Sequence, residues 1–284
     1  LTAEVMLSLG ALLGEEGRVA LGWAGGEAAA LLGRSAACGV TAAGGEAILC
    51  DAPCASAGAW LGRFYGLPVT LFVQQDGDIA EVRLFDEKGL PLSRSRQRKL
   101  VGALLRGEAT RVPASRVGRF QQINGAGPGC AGETARVSRL SSMPLRPLAV
   151  QVEKGEGAND ILTAALTALG CQVSRGSGRG KPTFSADWGG FRLTVWDEEG
   201  RRIGPDRLLV LLTRIEMENG EKTAVLPAWA PTAAETVAEG LGGRLLRLGR
   251  DGAEAQMLGE KQGGMRGGIA AACRLCARMG LTGE

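Results

Sequence analysis

Arg83-Leu-Phe-Asp-Glu-Lys-Gly-Leu-Pro-Leu-Ser93 and Thr194-Val-Trp-Asp-Glu-Glu-Gly-Arg-Arg-Ile-Gly204 are two versions of one pattern. Each reads as an apolar strand, an Asp-Glu-x-Gly turn, two further residues, an aliphatic residue and then the start of a helix. Gly89 and Gly200 fall where such a turn needs positive φ, a conformation that glycine adopts without steric cost. A supersecondary unit used twice predicts duplicated α/β domains.

Outward from the first copy, apolar strands alternate with helical patterns. Arg18–Trp23, Glu46–Asp51, Pro68–Val73 and Glu81–Asp86 read as strands. Gly25–Ala43, Ala55–Tyr65 and Ser93–Arg106 read as helices. Strands separated by helices of this length predict βαβ units and a mostly parallel sheet. Around the second copy, strands are expected at Leu148–Glu153, Cys171–Arg175, Arg192–Asp197, Thr223–Pro227, Leu245–Leu248 and Ala253–Leu258. Helices are expected at Ala158–Leu169, Pro205–Met217, Ala233–Leu241 and Gly268–Met279. Between the copies, Gly107–Pro147 is rich in Gly and Ser, poor in apolar runs and loaded with arginine, which predicts a solvated linker or an anion-binding strap.

The chain has 284 residues, a net charge of +3, seven cysteines and no histidine. This length suits roughly two domains, with one or three also compatible, and a sizeable core. The charge is too small to imply a nucleic-acid or membrane partner. No long uncharged apolar run predicts a membrane span. Without histidine there is no Ser-His-Asp or Cys-His mechanism, no His-ligated zinc and no imidazole base. An odd cysteine count, mostly in apolar runs, fits buried free thiols in a reducing cytoplasm. The first residue is Leu1, which fits a trimmed chain or a fragment.

Four stretches could carry chemistry. Gly176-Ser-Gly-Arg-Gly-Lys-Pro182 lacks the glycine spacing and the Ser/Thr of a phosphate loop, and reads as a turn. Cys50, Cys54, Cys273 and Cys276 could supply four zinc thiolates or simply be core cysteines. Gly259-Glu-Lys-Gln-Gly-Gly264 is a glycine-rich loop ahead of the last helix and could hold an anion or be an ordinary loop. Asp187-Trp-Gly-Gly-Phe-Arg192 precedes the second copy as Val73-Gln-Gln-Asp-Gly-Asp78 precedes the first.

These residues together resemble the α-D-phosphohexomutases, the superfamily of phosphoglucomutase, phosphomannomutase and phosphoglucosamine mutase. The resemblance implies three consecutive α/β/α domains with mixed, mostly parallel sheets, the second abbreviated. The boundaries it implies are 1–110, a linker at 111–147, 148–204 and 205–284. A distinct fourth domain and an N-terminal segment with a catalytic Arg, both usual in the family, have no counterpart here. The resemblance also implies where an active site would lie. The family's phosphoserine loop, T-A-S-H-N-P, corresponds to Gln74, Gln75, Asp76 and Asp78, with neither serine nor histidine. Its metal loop, D-G-D-x-D-R, keeps Asp187 and Arg192 but has Gly189 and Phe191 in place of two carboxylates. Its sugar loop, G-E-x-S-G-H, keeps Glu260 and has Gln262 and Gly264 for serine and histidine.

A Mg²⁺ site of this composition should bind weakly, so no cofactor is expected unless that degenerate loop is still used. The expectation is a cytoplasmic, non-catalytic homologue acting as a binding or regulatory module in sugar-phosphate metabolism. Its partner would be a phosphosugar, an active mutase or another protein, with Glu260, Gln262 and Arg192 as sugar contacts. Two alternatives stay open: an active intramolecular phosphotransferase on hexose phosphates, and an enzyme of different chemistry using Asp76, Asp78 and Asp187.

Overall fold

A computed structural model describes residues 2–141, 146–248 and 267–283. The chain divides into two compact units, residues 1–130 and 131–284.

The first unit is built on a five-stranded sheet of order β4-β3-β1-β2-β5. Its strands are β1 (Arg18–Ala24), β2 (Glu46–Cys50), β3 (Val69–Asp76), β4 (Ile79–Asp86) and β5 (Phe120–Ile123). β1 pairs in parallel with β2 and β3, and β2 with β5, while β4 runs antiparallel to β3. Val19 and Leu21 of β1 and Val69, Leu71 and Val73 of β3 alternate along their strands. They form one buried cluster with Met6 and Leu13 of α1 (Ala3–Gly14) and Leu32, Ala36 and Val40 of α2 (Glu27–Ala42). That alternation is the period of a strand with one face on the core. α1 and α2 approach so closely that a Cβ on Gly10 would lie 1.9 Å from the Ala36 carbonyl oxygen, and one on Gly39 2.0 Å from that of Leu7. α3 (Ala55–Phe64) packs on β1 and β3, where Gly58 leaves room for the Phe72 ring. α4 (Arg94–Arg106) begins at Ser93, whose hydroxyl accepts from the Arg96 N–H, and ends at Gly107 in the left-handed region. An oxygen side chain at the start and a glycine just past the end are the expected helix signals.

The second unit holds a sheet of order β10-β9-β8-β6-β7. The strands are β6 (Ala149–Val152), β7 (Gln172–Arg175), β8 (Thr183–Ala186), β9 (Leu193–Trp196) and β10 (Arg202–Ile203). β9-β8-β6-β7 repeats the order β4-β3-β1-β2, with the same parallel and antiparallel senses. α6 (Ala158–Leu169) follows β6 as α2 follows β1, and α7 (Pro205–Glu218) follows β10. β11 (Thr223–Pro227) and β12 (Arg244–Leu248) pair in parallel beside α8 (Thr232–Gly240). Ala224, Leu226, Ala234, Ala238 and Leu245 form a small core there with Met217 of α7. α9 (Gly268–Thr282) packs on α6 and α7, and Arg274 pairs with Glu216 where both side chains are largely shielded from water.

The mixed, mostly parallel α/β architecture is as the sequence implies. The segment 111–147 is not the expected linker. It contains β5, which completes the first sheet, and α5 (Ala126–Ser138). Its glycines and lack of apolar runs hid both: β5 is a four-residue edge strand with little buried surface, and α5 opens on Ala-Gly-Pro-Gly. Of the arginines in and beside it, Arg106 pairs with Glu108, Arg119 with Glu46, and Arg139 donates to the Ala168 carbonyl. The strand expected at Ala253–Leu258 lies outside the described residues.

Candidate functional site

Both copies of the founding motif fold into the same turn. Asp86 Oδ1 accepts from the N–H groups of Lys88 (3.0 Å) and Leu90 (2.9 Å), and Gly89, at φ 74°, donates to the Asp86 carbonyl. In the second copy Asp197 Oδ1 accepts from Glu199 (3.1 Å) and Arg201 (2.8 Å), and Gly200, at φ 79°, donates to the Asp197 carbonyl. These aspartates organise turns through their own backbone neighbours. Desolvation tends to raise the Asp197 carboxyl, but hydrogen bonds from the Arg201 backbone and guanidinium outweigh it and hold the group below its ordinary range.

In an open α/β sheet, ligands bind beyond the carboxyl ends of the strands where connections diverge. In the first unit that place lies between β1, which leads through α2 to β2, and β3, which turns back into β4. Gly25 and Gly26 link β1 to α2 there, at φ 99° and 154°. A Cβ on Gly25 would lie 2.0 Å from the Gln75 carbonyl oxygen, and one on Gly26 2.7 Å from Gln75 Oε1. Gln75 Oε1 accepts from the Ala29 N–H in the first turn of α2 (3.3 Å), and its Nε2 donates to the Gly77 carbonyl (3.0 Å). The amide therefore takes one of the N–H groups that a helix N-terminus leaves unpaired. Gln74 is buried within β3, paired in register with Ala24 and Glu81. Asp76 pairs with Ile79, so Gly77 and Asp78 alone form the β3–β4 turn, with Gly77 at φ 55°. A two-residue hairpin leaves no loop to present a nucleophile.

In the second unit, Asp187 and Arg192 sit in the β8–β9 hairpin. Asp187 Oδ1 accepts from the N–H groups of Phe191 (2.7 Å) and Arg192 (2.8 Å), and Gly190, at φ 80°, donates to the Asp187 carbonyl. The Arg192 side chain is exposed. Gly268, the first residue of α9, donates to the Phe191 carbonyl at 2.9 Å. Glu260 and Gln262 lie outside the described residues.

This donor set does not fit Mg²⁺. A hard divalent cation takes six or more oxygens, commonly from several carboxylates. Asp187 already uses Oδ1 in its turn, and Gly189 and Phe191 contribute no side-chain oxygen. Among the described residues no three Asp, Glu, Cys or His side chains come together to hold a metal.

The cysteines behave as core residues. Six of the seven are buried and Cys38 is exposed. Burial pushes the Cys50 thiol up to about 12, and its Sγ donates to the Leu21 carbonyl. The Cys54 Sγ lies 3.2 Å from the Ser56 hydroxyl. A hydrogen bond with Cys276 lowers the Cys171 thiol, and the same bond together with burial raises Cys276. Thiols held protonated, as Cys50 and Cys276 are, make poor nucleophiles.

Two βαβ-derived sheets of matching order, each closing on the same aspartate turn, define a duplicated α/β chain. Structural comparison makes that specific, because the fold is that of the α-D-phosphohexomutases. Over its whole length the chain is similar to a phosphoglucomutase/phosphomannomutase family protein from Burkholderia thailandensis, with TM-score 0.79, 16% identity and 74% of that chain covered. It is likewise similar over its whole length to a candidate phosphomannomutase from Thermus thermophilus, with TM-score 0.81, 15% identity and 77% of that chain covered. Over 99% of its length it is similar to the open form of the Paramecium phosphoglucomutase pp63/parafusin, with TM-score 0.64, 10% identity and 67% of that chain covered. No family model matches the chain, and no curated protein matches it. Among the described residues no helix is long and apolar enough to cross a membrane.

Proposed function

We propose that this chain is a non-catalytic relative of the phosphohexomutases that acts as a binding or regulatory module in sugar-phosphate metabolism. The observation that carries the reading is the β3–β4 hairpin. Its turn has two residues, and Gln75 accepts from the Ala29 N–H in the first turn of the helix beside it. Phosphoryl transfer depends on placing a nucleophile in line and neutralising charge on the moving group. Here the hairpin has no serine to meet the first requirement, and the second has one aspartate already committed to its own turn. Asp187 shapes its own hairpin through two backbone N–H groups, and Asp76 and Asp78 flank the two-residue β3–β4 turn.

The partner in this reading is a phosphosugar or an active mutase, met in the cytoplasm. Glu260, Gln262 and Arg192 would supply the phosphosugar contacts. A coupled assay with glucose 1-phosphate, mannose 1-phosphate or glucosamine 6-phosphate, Mg²⁺ and a hexose bisphosphate tests the central point. The expected rate is that of the blank, and sustained conversion would overturn the reading. Calorimetry with the same sugars then separates phosphosugar binding from a purely protein-directed role.

A further inference from the structure

A concavity lies in the first unit, on the side of β1 away from β3. It has a volume of about 740 Å³ and sits between α2 and the ends of β1, β2 and β5. Trp23, at the end of β1, forms one wall. Its indole lies against α2 because residue 33 is glycine: a Cβ there would fall 2.4 Å from the ring. Arg34, next along α2, holds its guanidinium 5.9 Å from the Trp23 ring centroid. Among the described residues Arg34 makes no ion pair. Asp51 lines the same space, but its two oxygens accept from the N–H groups of Gly125 (2.9 Å) and Ala126 (3.0 Å) at the start of α5. The remaining lining is mostly apolar, with Leu49 and the half-exposed Phe120. The concavity thus combines a flat aromatic wall, an apolar floor and a cation in no ion pair among the described residues, with the Asp51 carboxylate held by the N–H groups at the start of α5.

We propose that this concavity binds a small aromatic anion, an aryl carboxylate or aryl phosphate, distinct from any hexose phosphate. The aryl body packs against Trp23 and Phe120, and the anionic group takes the Arg34 guanidinium. A planar anion pairs well with the guanidinium fork, and flat apolar surface on both sides supplies the burial. A hexose phosphate suits the concavity poorly, because its hydroxyls would lose water against Leu49 and Phe120 with few partners in return. The site and its ligand class are independent of whether the chain turns over sugar phosphates.

Cys38 lines the same concavity one helical turn beyond Arg34 and is the exposed cysteine of the seven. Its rate of alkylation by iodoacetamide, followed by peptide mass spectrometry, therefore reports occupancy. Benzoate and phenyl phosphate are expected to slow the reaction at Cys38, while benzyl alcohol and glucose 1-phosphate leave it unchanged. R34Q, at an exposed position, is expected to fold normally and to weaken protection by either anion about tenfold. Absence of protection by both anions overturns the proposal. So does equal protection by benzyl alcohol, or protection that survives in R34Q. Protection by only one of the two anions keeps the site and narrows its ligand to carboxylate or to phosphate.

Discussion

The two copies of the β-turn-helix unit share a frame and differ in what closes it. In both, an aspartate collects two backbone N–H groups and a glycine at positive φ completes the turn. In both, a helix from outside the repeat lies across the layer: α1 on α2 and α4 in the first, α9 on α6 and α7 in the second. The closures differ in chemistry. α1 meets α2 through glycines at backbone contact, whereas α9 is fastened to α7 by Arg274–Glu216 and Arg278–Glu218. The first copy also has α3 between its second and third strands, where the second has only the turn of residues 176–182. The hairpin that would present a catalytic group is two residues long in the first copy, and in the second it is organised by Asp187. The turn chemistry is thus common to both copies, and the differences lie in the closing helix, in α3 and in the two hairpins.

The largest effect is expected where the first copy has no tolerance. Gly39→Val would drive a branched side chain into the α1 backbone. It should destabilise the first unit by about 3 kcal/mol, measured by denaturant unfolding, because overpacking at a backbone contact has no flexible neighbour to yield. An unchanged midpoint would mean that α1 can move away from α2. In the second copy, Glu216→Ala leaves Arg274 without its carboxylate in a shielded site and should destabilise by about 3 kcal/mol. Glu216→Gln, which keeps a hydrogen-bond acceptor, should recover part of that loss.

The shared turn gives a smaller and more discriminating test. Asp86→Ala and Asp197→Ala each remove the acceptor of two backbone N–H groups, so each should lower Tm by a few degrees, with the larger loss at Asp197, which also pairs with the Arg201 guanidinium. An unchanged Tm in either variant would break the equivalence of the two turns. The Asp197 carboxyl lies below its unfolded value in the folded chain, so its contribution is fully present above about pH 3.9 and is lost as pH falls through the lower folded value. D197N should accordingly flatten the acid limb of a Tm-against-pH curve.

Gln75→Ala removes the side-chain cap of α2 and should cost about 1 kcal/mol, typical of an N-terminal cap, without creating turnover. The smallest expected effect is none at all. Millimolar Mg²⁺ should leave Tm unchanged, since a bound ion would raise it by mass action. A Tm that climbs with Mg²⁺ and stops climbing in D187N would show that the degenerate loop still holds the ion.

Much of this was legible in the residues, for identifiable reasons. β1 to β4 and β6, β7 and β9 fall on expected strands and the twin Asp-Glu-x-Gly turns mark the duplication directly, whereas β8, the two-residue β10 and the helix α1 were not expected. β5 and α5 were not legible, because an edge strand exposes most of its side chains and a helix opening on Gly-Pro-Gly has little helical propensity. At the site, the sequence showed which groups are missing but not what stands in their place. That Gln75 caps α2 follows from the approach of β3 to Gly25 and Gly26, a long-range contact with no local signature. The Asp187 turn had a readable signal, since Asp followed three residues later by Gly is the same spacing that Asp86–Gly89 and Asp197–Gly200 use.

The most direct test of the central claim is intact-mass analysis after incubation with a hexose bisphosphate and Mg²⁺. A mutase of this fold carries its phosphoryl group on a serine, and the β3–β4 hairpin of the first unit offers no serine at that place. The expected result is an unchanged mass. A stable gain of one phosphoryl group, mapped by peptide sequencing to the β3–β4 region or to a serine beside it, would contradict it.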